Sequence, residues 1–140
     1  SLETLDVRME RHAKNALAVA TTLEQHPALS WLKYPFLKSH PQHAIAIRQM
    51  QNGGGIVCFE LKGGLESGVK FLNNLQMLSL TANLGDTRSI ASHPASTTHA
   101  KLTEDERRAV NITPGLIRIS VGLEHIDDIL ADITQALDRC

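Results

Sequence analysis

The sequence has 140 residues, a length that suits one ordinary domain with its own hydrophobic core. Lysine and arginine total 14 against 15 aspartates and glutamates, and this balance argues against a dedicated nucleic-acid binder. Hydrophobic residues make up 42% and charged residues 21%, which argues against wholesale disorder. No apolar run is long enough to span a bilayer, and the two cysteines, Cys58 and Cys140, are too few for a disulfide framework. We therefore expect a soluble, intracellular, cytoplasmic domain.

The first half of the chain predicts helices and strands in alternation. Apolar residues recur every three or four positions from Leu2 to Leu23, and Pro27 ends that helix because its ring cannot continue the hydrogen-bond ladder. The glycine-bounded, partly β-branched run at 56–61 predicts a strand. After Gly63 and Gly64, a third helix follows with an apolar face. The predicted elements are a helix over 2–23, an extended segment over 31–34, a helix over 41–50, a strand over 56–61 and a helix whose face is Leu65, Val69, Leu72 and Leu75.

The second half is less periodic at first and then returns to clear patterns. Residues 78–101 predict one short strand, at 89–91. Thr103 and Glu106 form a capping-box pair that opens a helix over 103–109. Residues 116–121 alternate as a strand, and 126–137 carry a helical apolar stripe. Few short strands among helices predict an α+β fold, a small and mostly antiparallel sheet with helices packed on one face.

Arg118 is the first candidate functional residue. It lies in the middle of the strand predicted at 116–121, on the face opposite Ile117, Ile119 and Val121. A guanidinium at such a place needs water or an anion, since burying it unpaired costs several kcal/mol. The residue could simply be exposed or paired with an acidic side chain. Alternatively, its planar fork could clamp a carboxylate.

Two polar segments could also bind ligands, although simpler explanations exist. Residues 83–89 form a glycine-containing turn whose amides could hold an anion, or that merely turns the chain. His93 and His99 flank three hydroxyl side chains, but a metal would need a third ligand, such as Cys58 or His125, and no familiar ligand spacing appears. We therefore expect no metal.

Three segments in order carry a resemblance to a known family. Residues 83–86 (Asn-Leu-Gly-Asp), 93–99 (His-Pro-Ala-Ser-Thr-Thr-His) and 115–124 (Gly-Leu-Ile-Arg-Ile-Ser-Val-Gly-Leu-Glu) closely resemble the last third of the Cys/Met-metabolism enzymes. These are the transsulfuration enzymes that depend on pyridoxal phosphate (PLP). The resemblance covers essentially the whole chain. It implies the small C-terminal domain of a fold-type I PLP enzyme, with residues 1–27 as the helix linking it to a cofactor domain and 28–140 as the substrate-site domain.

The resemblance implies that this chain is a fragment without the cofactor site. Family members are about three times as long and bind PLP through a lysine in the preceding domain, and no lysine here matches that context. The fragment alone is therefore expected to be inactive and to need its own N-terminal PLP domain. Family members are usually homotetramers, so the resemblance also implies an oligomer; we expect no nucleic-acid or membrane partner.

The resemblance also implies roles for particular residues in binding the substrate. Arg118 matches the arginine that holds the amino-acid α-carboxylate. Asn83, followed by Leu84, matches the turn that completes the carboxylate cradle, and Thr98 matches the hydroxyl residue that supports the arginine. Arg88 would lie near the distal end of the substrate, where a positive charge could favour an acidic succinyl group.

Asn83 and Arg88 guide the choice of subfamily. Cystathionine synthases and lyases usually carry serine and glutamate at these positions, whereas residues 83–90 are similar to the sulfhydrylases and to O-succinylhomoserine sulfhydrylase in particular. The expected reaction is replacement of the acyl group of a homoserine ester by sulfide to give homocysteine. Methionine γ-lyase and cystathionine γ-synthase share the motifs and remain alternatives, as does a non-catalytic binding or oligomerisation module.

Overall fold

A computed structural model describes residues 1–97 and 99–140. A short 3-10 turn at Leu2–Thr4 precedes the first long helix. The helices of the described residues are α1 (Leu5–Leu23), α2 (His43–Gln49), α3 (Gly64–Asn74), α4 (Glu104–Ala109) and α5 (Ile126–Leu137). The strands are β1 (Leu29–Lys33), β2 (Ile56–Leu61), β3 (Ser79–Leu80), β4 (Ile90–Ser92) and β5 (Leu116–Ser120).

The strands form a five-stranded sheet in the order β1-β2-β5-β4-β3. Only the pairing of β3 with β4 is parallel; the other three pairings are antiparallel. Arg118 on β5 lies between Cys58 on β2 and Ser92 on β4 in this register. The α+β class and the mostly antiparallel sheet predicted from the sequence are therefore confirmed.

The hydrophobic core lies between one sheet face and helices α1, α3 and α5. Side chains alternate along each strand, so Phe59 on β2 and Ile117 and Ile119 on β5 point into this core and are fully buried. The rings of Phe59 and Phe71 meet edge to face, with 5.6 Å between their centroids. The same alternation turns Cys58 and Arg118 to the opposite face, which we call the open face, where both are only half-buried.

The buried residues of helix α1 begin at His12. Ala16, Val19, Ala20 and Leu23 belong to the core, so the helix is part of this domain's packing. Leu2 is 85% exposed, and Leu5 and Met9, which continue the same stripe in the sequence, are also exposed. The division into a linker helix over 1–27 and a domain over 28–140 stays a prediction.

Helix α3 does not bury the apolar face that was predicted for it. Leu72 and Leu75 pack at the margin of the core, but Leu65 and Val69 are about half exposed. The helix is instead turned so that Phe71 enters the core, because a phenylalanine side chain buries more apolar area than either exposed residue.

Several elements also differ from the sequence expectations: β1 spans Leu29–Lys33 rather than 31–34, and β4 spans Ile90–Ser92 rather than 89–91. Helix α2 begins at His43 rather than at Pro41, and β5 ends at Ser120, one residue early. Strand β3 was not predicted at all, because two residues are too short for any periodicity to appear.

Candidate functional site

The guanidinium of Arg118 lies on the open face without an acidic partner. Its Nη2 donates to the carbonyl oxygen of Ala82 at 3.2 Å, which fixes the orientation of the planar group. Its Nε is buried and makes no hydrogen bond. Within residues 1–97 and 99–140, no ion pair involves Arg118. A buried donor without an acceptor costs about 1–3 kcal/mol, and a bound anion would remove that cost.

Two cationic side chains lie beside Cys58 on the open face, which also carries the Glu60 carboxylate. Lys33 on β1 pairs with Cys58, which in turn pairs with Arg118, so the two cations flank the thiol in one row across the sheet. Burial raises the pKa of the Cys58 thiol, while the charges of Arg118 and Lys33 act to lower it. Both cations therefore affect the pKa of this thiol. Beside Cys58, the two cations favour an anionic ligand over a cationic one.

The turn that begins at Asn83 lies against the same part of β5. Asn83 follows Ala82, the residue bonded to Arg118, so the arginine and the turn meet as the sequence predicts. Asn83 and Leu84 are exposed, and Gly85 has a φ of 78°, a conformation that favours glycine. The Gly85 amide donates to the Ser120 hydroxyl at 3.2 Å, which ties the turn to the strand two residues beyond Arg118.

A second tie holds the far end of this turn, and sequence reasoning gave it no role. Glu124 accepts hydrogen bonds from the backbone amide and the hydroxyl of Ser89, at 2.5 and 2.9 Å. The Gly122 amide donates to the same hydroxyl at 2.8 Å. The only signal in the sequence is an acidic residue directly after the strand and its Val-Gly-Leu extension, which does not reveal a partner 35 residues away.

Arg88 is placed apart from Arg118 and has a partner of its own. Its Nη2 and Nε donate to the Asp86 carboxylate at 3.1 and 3.3 Å, and both residues lie in the exposed part of the turn. The side-chain and backbone hydrogen bonds from Arg88 lower the pKa of Asp86 to about 2. Arg88 lies beside Gly122, four residues past Arg118, or about 13 Å along an extended strand. Thr98 lies outside the described residues.

His93 is a buried structural residue rather than an exposed ligand. Its Nε2 donates to the carbonyl of Pro114 at 2.6 Å, and its Nδ1 lies 2.8 Å from the Ser96 hydroxyl. Both ring nitrogens are thus occupied within the protein. Among residues 1–97 and 99–140, no group of three histidine, cysteine or acidic side chains could hold a metal ion.

Comparison with known proteins places the chain in a family. The family model described as Cys/Met metabolism PLP-dependent enzyme matches residues 1–138. The chain is 49% identical over 138 residues to an L-methionine gamma-lyase of Fusobacterium nucleatum subsp. polymorphum, covering 99% of this chain and 35% of that protein. It is 51% identical over 138 residues to an O-acetyl-L-homoserine sulfhydrylase of Leptospira meyeri, covering 97% and 31%.

A solved structure agrees with these relatives. A crystal structure from Campylobacter jejuni, assigned as an O-acetylhomoserine (thiol)-lyase and holding a pyridoxyl-lysine phosphate adduct, superimposes with a TM-score of 0.92. The two chains are 41% identical, and the match covers 98% of this chain and 33% of that one. The chain therefore belongs to the PLP-dependent enzymes of Cys/Met metabolism. It spans about a third of the length of the relatives it matches.

The lysines of this chain lie in surroundings unlike those of a PLP-binding lysine. A lysine that binds PLP must present an uncharged amine inside a site that excludes water. All six lysines are instead exposed. Lys70 pairs with Glu66 at 2.8 Å, and Lys33 lies over the Trp31 ring at 4.7 Å. In the part of the chain that the structure describes, no helix has the length and apolar character needed to cross a membrane.

Proposed function

We propose that this chain supplies the substrate-carboxylate site of a longer PLP-dependent enzyme that acts on an amino acid. The observation that carries the proposal is Arg118, a guanidinium on the open face whose Nε is buried and unpaired. The family supports an amino-acid substrate, and a carboxylate is the group that the fork of an arginine fits best.

The geometry supports a two-point contact with the α-carboxylate. The bond from Arg118 to Ala82 orients the guanidinium, and Nε is buried without an acceptor in the protein, so we propose that the substrate carboxylate reaches this group when the whole enzyme binds it. Asn83 and Leu84 follow immediately and would offer further polar contacts to the same carboxylate, and we propose that Thr98 supports the arginine. Holding the carboxylate fixes the orientation of the Cα–H bond, which is a positioning contribution to catalysis.

For the reaction, we propose sulfhydrylation of a homoserine ester, with O-succinylhomoserine as the substrate. Sulfide forms a bond to Cγ while the Cγ–O bond of the ester breaks and succinate leaves, which gives homocysteine. PLP supplies the electron sink for this chemistry when bound. The Leptospira sulfhydrylase and a homocysteine synthase of Schizosaccharomyces pombe, 47% identical over 138 residues and matched over 32% of its length, support this reaction. Arg88 is the proposed contact for the acidic succinyl group, although it now pairs with Asp86.

Methionine γ-lyase activity is the second candidate. The Fusobacterium lyase is 49% identical to this chain, so identity does not separate the two activities. Cystathionine γ-synthase is a further member of the same enzyme class. Assaying the full-length enzyme with O-succinylhomoserine, O-acetylhomoserine and methionine, with and without sulfide, decides among them. Formation of homocysteine only with sulfide supports the sulfhydrylase, whereas release of methanethiol from methionine supports the lyase.

We further propose that the 140 residues are inactive on their own and that the whole enzyme is a cytoplasmic homotetramer. The exposure of all six lysines supports the first statement. With PLP equimolar to protein, borohydride reduction and peptide mapping should find only scattered, substoichiometric labelling of exposed lysines in the isolated chain, whereas the full-length enzyme should carry one label per chain at a single lysine. Stoichiometric labelling of one lysine of the isolated chain would contradict this proposal.

Arg118→Ala in the full-length enzyme tests the carboxylate site. Hydrogen bonds to a charged group contribute about 1.5–3 kcal/mol, so we expect KM for the amino acid to rise about 10- to 150-fold. Arg118→Lys keeps the charge but not the fork and should restore only part of the affinity. Arg48→Ala, an exposed arginine on α2, is the matched control. An unchanged KM in Arg118→Ala would remove the arginine from this role.

A further inference from the structure

The turn beside Arg118 is fixed to the sheet at two points. Near its start, the Gly85 amide bonds to the Ser120 hydroxyl. At its end, Glu124 accepts both hydrogen bonds that Ser89 can donate, at 2.5 and 2.9 Å. Ser89 is 0% exposed when the carboxylate is in place, so in the intact chain these two hydrogen bonds are made to Glu124 rather than to water.

The backbone around Ser89 and Gly122 is packed too closely to adjust. A Cβ added at Gly122 would lie 2.4 Å from the Ser89 nitrogen and 2.2 Å from a Glu124 carboxylate oxygen. The Leu123 amide also donates to the Thr87 carbonyl at 2.8 Å. The residues after β5 thus hold the turn by backbone contacts. The side chain of Glu124 adds two hydrogen bonds from Ser89.

These contacts affect Arg118 because the other end of the segment, at Ala82, accepts a hydrogen bond from the guanidinium. Residues 81–89 connect β3 to β4, and Ala82 at the start of this connection accepts from Arg118. Without the Glu124 carboxylate, the Ser89 end would keep the Leu123–Thr87 and Gly122–Ser89 hydrogen bonds but lose both hydrogen bonds to Glu124. The connection would then be held less firmly, and the carbonyl of Ala82 could leave the arginine. The planar group would then lose its fixed orientation.

We propose that Glu124 is a positioning residue for substrate binding, holding the 81–89 connection so that Arg118 and Asn83 face the carboxylate together. This inference rests on the proposed function, since it concerns the same carboxylate. Glu124 itself touches no reacting atom; it acts through Ser89.

The test compares Glu124→Ala with Glu124→Gln in the full-length enzyme. Misplacing a binding group by about an ångström can cost about a hundredfold, and partial release by Glu124→Ala should raise KM for the amino acid about tenfold. Glutamine keeps an oxygen for the Ser89 amide and should bring KM back near the wild-type value. Glu66→Ala, an exposed carboxylate on α3, is the control with no expected effect on KM.

A purely structural role gives a different result, because unfolded enzyme lowers the measured kcat per total protein and leaves KM unchanged. That outcome, or a glutamine variant as impaired as the alanine variant, would overturn the proposal. If Glu124→Ala does not fold, Ser89→Ala is the second variant: it keeps the backbone bond and should raise KM about threefold.

The double variant separates this proposal from the proposed function. Once Arg118 is replaced by alanine, adding Glu124→Ala should raise KM little further, because the two residues act on one contact. If Arg118→Ala raises KM and Glu124→Ala does not, the positioning role is wrong and the carboxylate site stands. If Arg118→Ala leaves KM unchanged, both are wrong.

Discussion

Asp132 offers a sharp test of how this fold is held together. It lies on α5, is 6% exposed, and accepts backbone hydrogen bonds from Gln76, Met77 and Leu78 at 2.8, 2.9 and 3.0 Å. These three residues connect α3 to β3. A single carboxylate therefore supplies the acceptors for three consecutive amides that precede the edge strand.

The hydrogen bonds decide the charge state of this carboxylate. Burial acts to raise the pKa of Asp132, but the bonds from the backbone amides of Leu78, Gln76 and Met77 outweigh it, and the pKa lies below its usual value. A lowered pKa in the folded state means that the contribution of Asp132 to stability is present above about pH 4. It is lost as the pH falls through the lowered value.

Asp132→Asn should lower the free energy of unfolding by about 1.5–3 kcal/mol. One charge-assisted hydrogen bond is lost, and the new side-chain NH2 group points at a backbone N–H, which is also a donor. The amides of Met77 and Leu78 donate to the same carboxylate oxygen, and the asparagine oxygen can keep both hydrogen bonds. The Gln76 amide is then the one left without an acceptor. Asp132→Ala removes the acceptor of all three amides and should cost more than Asp132→Asn, about 3–5 kcal/mol, because the buried Leu78 amide is left unsatisfied and the other two must turn to water. Asp128→Asn, an exposed change on the same helix, should cost less than about 1 kcal/mol.

Urea unfolding followed by circular dichroism at a series of pH values measures these differences. The gap between the wild-type chain and Asp132→Asn should be largest near pH 7 and shrink steadily below about pH 4, as the wild-type carboxylate takes up its proton. A gap that stays constant with pH would refute the assignment of the effect to a charged acceptor. Equal stabilities at pH 7 would refute the role of the three bonds altogether.

Two further titrations check the electrostatics of the open face and of the core. Arg118→Ala removes a positive charge near Cys58, so it should raise the pKa of the Cys58 thiol further and slow its alkylation, measured in a Cys140→Ser background. Arg88→Ala is the control and should leave the alkylation rate unchanged. Equal rates with and without the Arg118 side chain would place Arg118 away from the thiol. Burial raises the pKa of Tyr34, the single tyrosine, to about 12. Its phenolate absorbance should therefore appear near pH 12, and stability should fall between about pH 10 and 12; ordinary titration near pH 10 would contradict its burial.

Local patterns were sufficient wherever an element is long and one-sided. Strand β2 begins and ends where its flanking glycines and β-branched residues predict, at Ile56 and Leu61. The apolar stripe of α5 is buried as expected, with Ile129, Ile133 and Leu137 in the core. In these elements the spacing of the apolar residues alone identifies the side that is buried, so the prediction depends little on the rest of the chain.

Tertiary packing decided the features that sequence reasoning missed. The face of α3 depends on where Phe71 can meet Phe59, which lies on another element. Strand β3 exists only because β4 is beside it. The exposed first half of α1 shows the converse, since its stripe continues beyond the sheet that buries the second half.

The candidate site was predictable in part for the same reason. Strand alternation alone puts Arg118 on the face opposite Ile117 and Ile119, and the resemblance of residues 83–86 to a family motif brings in the turn. The tie between Ser89 and Glu124 depends on a contact across 35 residues, which no local period encodes.

The stability of the fold favours a fully paired Arg118, whereas ligand binding favours one with an unpaired donor. The two faces of β5 divide these requirements between them. On the helix side, Ile117 and Ile119 are fully buried beside Phe59 and hold the strand rigid. On the open side, a guanidinium is left with a desolvated and unpaired Nε, which lowers the stability of the unliganded chain. Such a cost persists at a position where a ligand removes it. It follows that a bound carboxylate should stabilise the domain through Arg118, so binding and resistance to unfolding should rise together.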